Sequence, residues 1–303
     1  MSAAAPAAGG INARYGVSAR RRRTDVAMRG VLLAGTAIAL VPLLLIIYYL
    51  LHKGLSSMTS GGFFTSDPTG ASAGFFGGAQ KIGGIKSALL GTVEIVLIAS
   101  AIAVPIGIGV ALWLVEYGRN SVYANIIRFF VDVLTGVPSI VFGLFIYIVL
   151  IVGTGSTYAG WKGSVTLSLL MLPIVIRSAE VVLSLVPGAL RESALALGAP
   201  RWRVIFKVVL PTAASGMVTG VLLAVARAAG ETAPLLFTAG VTNVTTLNPT
   251  HYQNSLPLQI YNDFIAGTTQ NFNRAWGAAL TLVLLILIVN LSARFISSRS
   301  RLG

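Results

Sequence analysis

The sequence contains no cysteine and only two histidines, His52 and His251. Disulfides, thiolate metal ligands and cysteine nucleophiles are excluded, and a histidine-rich metal site lacks its ligands. Charge is also scarce. Only 10% of the 303 residues are charged, where a soluble domain carries about 25%. Acids are the scarcer sign, nine against 22 lysines and arginines. A formal charge of +13 would by itself suit a nucleic-acid partner. With 55% hydrophobic residues and a mean hydropathy of +0.83, no polar surface is left to hold a duplex. No G-x-x-x-x-G-K-S/T loop occurs, so the chain has no phosphate cradle of that kind. Nor does a water-accessible segment carry a Ser-His-Asp set or paired carboxylates. A chain so composed is expected to use lipid as its solvent, to bind no metal or nucleotide, and to be no enzyme.

Long apolar runs are what the chain does contain. Crossing the hydrocarbon core takes about 20 apolar helical residues. Six runs qualify: Val31–Leu51, Ser87–Val115, Ile126–Val152, Val165–Val186, Thr212–Phe237 and Trp276–Ile296. The reading is all-α, with six transmembrane helices. Cytoplasmic loops are rich in Lys and Arg. With the N-terminus inside, fifteen of the 22 basic residues fall in inside segments. Five fall outside (Lys53, Lys81, Lys86, Lys162 and Arg274), and Arg177 and Arg227 lie within spans. Both termini are then cytoplasmic. The first run is too long for a signal-peptide core and has no clear small-x-small cleavage site, so it reads as a retained span over 28–51. Residues 1–27 read as a disordered, basic cytoplasmic tail, and 298–303 as a second short tail. The external segments 52–85 and 238–275 show no pattern of a folded domain, and their aromatics are expected at the outer interface.

Charges inside the spans raise a sharper question, because one at the bilayer centre costs about 2.5–3.5 kcal/mol on insertion scales. Arg177 has Glu180 three residues on, and Arg227 has Glu231 four residues on. Each spacing puts the pair on one helix face. Two readings are open. The pairs neutralise themselves and act as glue; or the guanidinium forks bind a permeating anion while the acids hold them. Gly230 and Pro234 bracket Glu231 and weaken the helix there, as at transport sites built on broken helices. Arg128 and Asp132, four apart, are expected to pair with each other, and Glu94 to be solvated near an outer end. The stretch Thr135–Ser139 fits either a kink lining a pathway or a plain proline bend.

The cytoplasmic loop 187–211 reads PGALRESALALGAPRWRVIFKVVLP. Proline opens and closes it, and Gly198 stands where a helix ends or a partner approaches. It fits a docking element for a cytoplasmic partner and equally a helix lying on headgroups. Glu192–Ser193–Ala194, three residues, Gly198, nine residues, then Val208–Val209–Leu210–Pro211 resembles the EAA loop of ABC importer permeases. Ser193 and Val208 depart mildly from that pattern. LTGVPSIVFGLF (134–145) and ARAAGETAPLLFTAG (226–240) resemble the A-type permease family of phosphate-specific ABC transporters. The similarity runs from about residue 28 to 297. It implies a type I importer permease fold and import of inorganic phosphate across the bacterial plasma membrane. It implies coupling to an ATPase through Glu192, Ala194, Gly198, Leu210 and Pro211, and a substrate pathway carrying Arg177, Glu180, Arg227 and Glu231. The implied partners are a second, C-type permease, two copies of an ATPase that bind ATP and Mg, and an external phosphate-binding protein. Sulfate or molybdate, or a stand-alone anion channel or secondary carrier, are the alternatives.

Overall fold

The computed structural model describes residues 19–68, 83–119 and 121–299. Within them are eleven helices and no strand: α1 (Ala19–Met58), α2 (Lys86–Leu112), α3 (Val122–Gly136), α4 (Ser139–Tyr147), α5 (Gly160–Ser184), α6 (Gly188–Ala196), α7 (Arg201–Val204), α8 (Leu210–Ala229), α9 (Ala233–Leu236), α10 (Leu256–Ala266) and α11 (Thr269–Arg299). The fold is all-α, as expected. The chain divides into two units at Tyr49 and Leu50. Most of residues 1–27, read as a disordered tail, lies outside the described residues; the helix is already formed at Ala19. In the first unit the apolar side chains of α1, among them Leu33 and Ile38, are exposed, as suits a helix whose solvent is lipid.

In the second unit α2, α5 and α8 pack together. Ile95, Ala99 and Ala103 of α2 meet Leu167, Met171 and Val175 of α5 and Ala224 and Ala228 of α8, all fully buried. Hydrophobicity drives helix association weakly inside a bilayer, so contact depends on small residues that let backbones approach. Gly107 is one: a Cβ there would lie 2.6 Å from Val175 Cγ1. Prolines 105 and 173 sit inside α2 and α5 without ending them, as membrane helices allow. Three helices run on into wider π turns: α2 through Trp113–Gly118, α4 through Ile148–Val152, and the α7–α8 junction at Ile205–Val209.

Two of the six runs break where the sequence weakens them. The run Ile126–Val152 is not one straight span, because α3 and α4 meet at 100°. Pro138 pushes Val137 out of the helical region (φ −72°, ψ 130°) and cannot itself continue the amide ladder. Among the described residues five helices are long and apolar enough to cross a membrane, six if this broken pair is counted as one span. The run Thr212–Phe237 likewise breaks after Ala229, resuming as the short α9. Segment 238–275 is not structureless. It contains α10, capped by Ser255 accepting from the Leu258 amide at 3.4 Å. Arg274, expected in a loop, lies in α11 and forms a buried pair with Asp263 at 2.8 Å. Gln259 completes the carboxylate at 2.9 Å. This pair fastens α10 to α11.

Gly107 and Gly109 share one helix but not one environment, since nothing lies within 4 Å of a Cβ on Gly109. Alanine adds helix propensity at both, about 1 kcal/mol. Overpacking costs typically ~1–3 kcal/mol. Thermal melts in detergent should therefore show Gly107→Ala lowering Tm and Gly109→Ala leaving or raising it. Equal shifts would mean the α2–α5 contact is not tight.

Candidate functional site

The intramembrane charges form two separate groups. The first joins α3 to α5. Glu180 accepts from Arg128 Nε at 2.6 Å through one oxygen and from Arg177 NH1 at 2.8 Å through the other. Arg177 also donates Nε to Asp132 at 2.9 Å. The expected Arg128–Asp132 pair is thus not the one formed. Each reaches across to α5 instead, because there a carboxylate serves two guanidiniums and an arginine two carboxylates. Arg128 also donates to the Arg119 carbonyl at 2.9 Å, which fastens the group to the end of α2. Arg119 itself is held at φ 25°, outside the regions most side chains adopt. An open cavity of about 650 Å³ borders the group, lined by Arg119, Arg128, Arg177, Glu180 and Arg191 among others. Arg177 lies in the last third of α5.

The second group is Arg227 and Glu231. Arg227 is in the last turn of α8, with its side chain 56% exposed. Glu231 lies beyond the helix end, since Gly230 caps α8, so the one-face geometry of an intact helix is lost. Their closest approach is 3.6 Å, past hydrogen-bond reach. The two groups do not meet. Arg177 donates to Asp132, Glu180 and the Arg128 carbonyl, whereas Arg227 faces Glu231. Glu94 is not simply solvated, because its carboxylate accepts from Gln253.

In loop 187–211, α6 ends as the glycine spacing predicts. Leu197 closes the helix and Gly198 adopts φ +79°. Gly198 N–H then donates to Leu195 O at 2.9 Å and Ala199 N–H to Ala194 O at 3.3 Å, the paired bonds of a left-handed helix cap. Among the described residues, apart from its two chain neighbours, nothing lies within 4 Å of a Cβ on Gly198. Within this chain, then, glycine is required by conformation and not by close approach. Glu192 is exposed, Ala194 is half-buried against the cluster formed by the ends of α5 and α8, and Leu210 and Pro211 open α8. Leu197 is 89% exposed, and Trp202 and Phe206 of the same loop are exposed as well.

Sequence reasoning did not find Arg191 and Glu116. Arg191 donates Nε to Glu116 at 3.0 Å, and its two other nitrogens to Val186 O at 2.6 Å and Leu183 O at 2.9 Å. One side chain thereby binds α6 to the ends of α2 and α5. No local spacing signals a contact between residues 75 positions apart.

The family model for "binding-protein-dependent transport system inner membrane component" matches residues 103–302. The chain belongs to this family. A phosphate transport system permease protein of Mycobacterium tuberculosis, PstA 1, is 39% identical over 268 residues, covering 87% of this chain and 86% of that protein. The PstA of Yersinia pestis is also 39% identical, over 86% of this chain and 85% of the relative. Among solved structures, the inward-facing methionine ABC transporter MetNI superposes with a TM-score of 0.59 at 19% identity, over 70% of this chain and 94% of that one. A bacterial ABC transporter that imports the acidic polysaccharide alginate gives 0.55 at 16%, over 92% and 99%. These likenesses carry the ABC importer permease fold, and the chain is a multi-pass membrane permease component.

Glu180 is 12% exposed and Asp132 61%. Breaking one side of a buried ion pair costs about 3–5 kcal/mol, and an exposed pair is worth about 0–1 kcal/mol. Glu180→Gln should therefore lower the detergent Tm several times more than Asp132→Asn. Similar shifts would show that Glu180 is not the hub of the group.

Proposed function

We propose that this chain is one of two permease subunits of an ATP-driven importer of inorganic phosphate in a bacterial plasma membrane, with both termini cytoplasmic. Its partners are a second, C-type permease, two copies of an ATPase that bind ATP and Mg, and an external phosphate-binding protein. The relatives named above are phosphate permeases, which supports the choice of solute. The observation that carries the reading is Arg227. An arginine in an apolar span, more than half exposed and with its acid out of hydrogen-bond reach, needs another counter-ion. A guanidinium fork offers two parallel N–H groups to an oxyanion. Glu231 offsets its charge between passages. The cavity beside Arg128, Arg177 and Glu180 continues the pathway on the inner side.

Coupling runs through α6. The ATPase grips the exposed apolar side chains of loop 187–211, and its closure moves α6. Arg191 passes that movement to the ends of α5 and α2. α5 carries Arg177 and Glu180, so their bonds to α3 are remade as the site switches sides.

Two measurements test this. In vesicles containing the assembled transporter, the double variant Arg227→Gln with Glu231→Gln removes both charges together. It should assemble, keep ATPase activity, and import phosphate at below roughly a tenth of the normal rate, as befits loss of a charged hydrogen bond worth ~1.5–3 kcal/mol. Near-normal import by that variant would remove Arg227 from the pathway. In the second, Gly198→Leu puts a bulky side chain on a left-handed backbone, at about 1–2 kcal/mol. It should leave the protein in the membrane but uncouple hydrolysis from import. Normal import at equal expression would mean that the loop rests on headgroups.

A further inference from the structure

Lys162 sits in the first turn of α5, and only 3% of it is exposed. Its ammonium donates to Ser156 Oγ at 2.6 Å and to the Thr157 carbonyl. Both acceptors are neutral, and a lysine has three N–H groups. No carboxylate pairs with it among the described residues. The acids of the surrounding segments are engaged elsewhere: Asp67 accepts from Thr245, Glu94 from Gln253, and Asp263 pairs with Arg274. The helix start adds its own positive end to that of the lysine. A buried, unpaired charge is costly, and more so beside a like one.

The ammonium borders a cavity of about 300 Å³ that Thr154, Ser156, Thr157, Trp161 and Thr250 also line. The walls are held in place. The Trp161 amide donates to Pro249 O at 2.8 Å and the Gly160 amide to His251 O at 2.9 Å, which fixes the 249–251 strip against the helix start. The Thr154 and Ser156 hydroxyls lie 2.9 and 2.7 Å from Leu150 O and 2.6 Å from each other, and share two hydrogens among these three contacts. A cation with hydroxyl groups around it, in a space of this size, suits a compact tetrahedral anion.

We propose that this cavity is an oxyanion-binding site, with Lys162 supplying the charge and its third N–H, and with the Thr154, Ser156 and Thr250 hydroxyls turning from the Leu150 carbonyl and Asn248 Oδ1 to donate to the anion when it binds. Its ligand is a phosphate group, either free inorganic phosphate or the headgroup of a phospholipid. It is separate from Arg177 and Arg227, neither of which lines it. That it lies at the external mouth, where phosphate would enter, rests on the orientation proposed above.

The test uses Trp161, whose ring lies 5.6 Å from the ammonium, as a local reporter. The assembled transporter, purified in maltoside free of phospholipid and without its binding protein, is titrated with inorganic phosphate against chloride at equal ionic strength. The signal that Trp161→Phe removes should saturate. Its midpoint should rise roughly tenfold in Lys162→Met, as loss of one charged hydrogen bond gives, and stay near that of the wild type in Lys162→Arg. A response to short-chain phosphatidylglycerol but not to inorganic phosphate assigns the site to a headgroup, and the reverse assigns it to the free anion. No Trp161 response to either ligand overturns the proposal, as does an unchanged midpoint in Lys162→Met, since Lys162 would then only staple the 154–157 loop. If Lys162→Met does not assemble, the comparison of wild type with Trp161→Phe decides alone. Vesicle uptake by the wild type keeps the two readings apart. Import with a silent Trp161 sinks the site only, and a saturating Trp161 signal without import sinks the importer reading only.

Discussion

A charge placed in hydrocarbon has to be matched, and Glu180 is where this chain does most of the matching. One carboxylate takes Arg128 from α3 and Arg177 from its own helix. The first half of the broken span is thereby tied to the central helix by charge and hydrogen bonds together. Such a tie is firm while it lasts and can be exchanged for another of similar energy, which an apolar contact of equal strength cannot offer. Asp132 holds the outer side of the same chain of charges, exposed enough to yield first.

The apolar packing has a different task. Close contacts at small residues make α2 and α5 one rigid pair. Arg191 joins the ends of this pair through Glu116 and Leu183. It donates to Leu183 O in the last turn of α5 and to Val186 O just beyond it. One guanidinium thereby ties α6 to both helix ends.

Polar groups outside the spans follow a similar economy. Asp263 and Arg274 neutralise each other in a buried setting and join α10 to α11. Lys162 is buried as deeply without an acid. The contrast between these two cations, one matched and one open to a cavity, is what distinguishes a fastening from a place for a ligand.

Composition alone determined that this is a helical membrane chain, because about 20 apolar residues in a row have few other stable states. Local spacing was enough for the cap at Gly198, since a helix end needs a left-handed residue at one definite position. It was also enough for the Arg177–Glu180 pair on one face. Local spacing failed where a contact crosses between helices. Arg128 and Asp132 look like partners at four residues' distance, yet each finds a better-matched charge on α5, 52 and 45 positions away. Arg191 and Glu116 had no sequence signal at all, and the unpaired state of Lys162 depends on where every neighbouring acid went. Pairing energies in a low-dielectric medium exceed any local preference, so the tertiary structure decided which charges were spent on each other and which were left for something else.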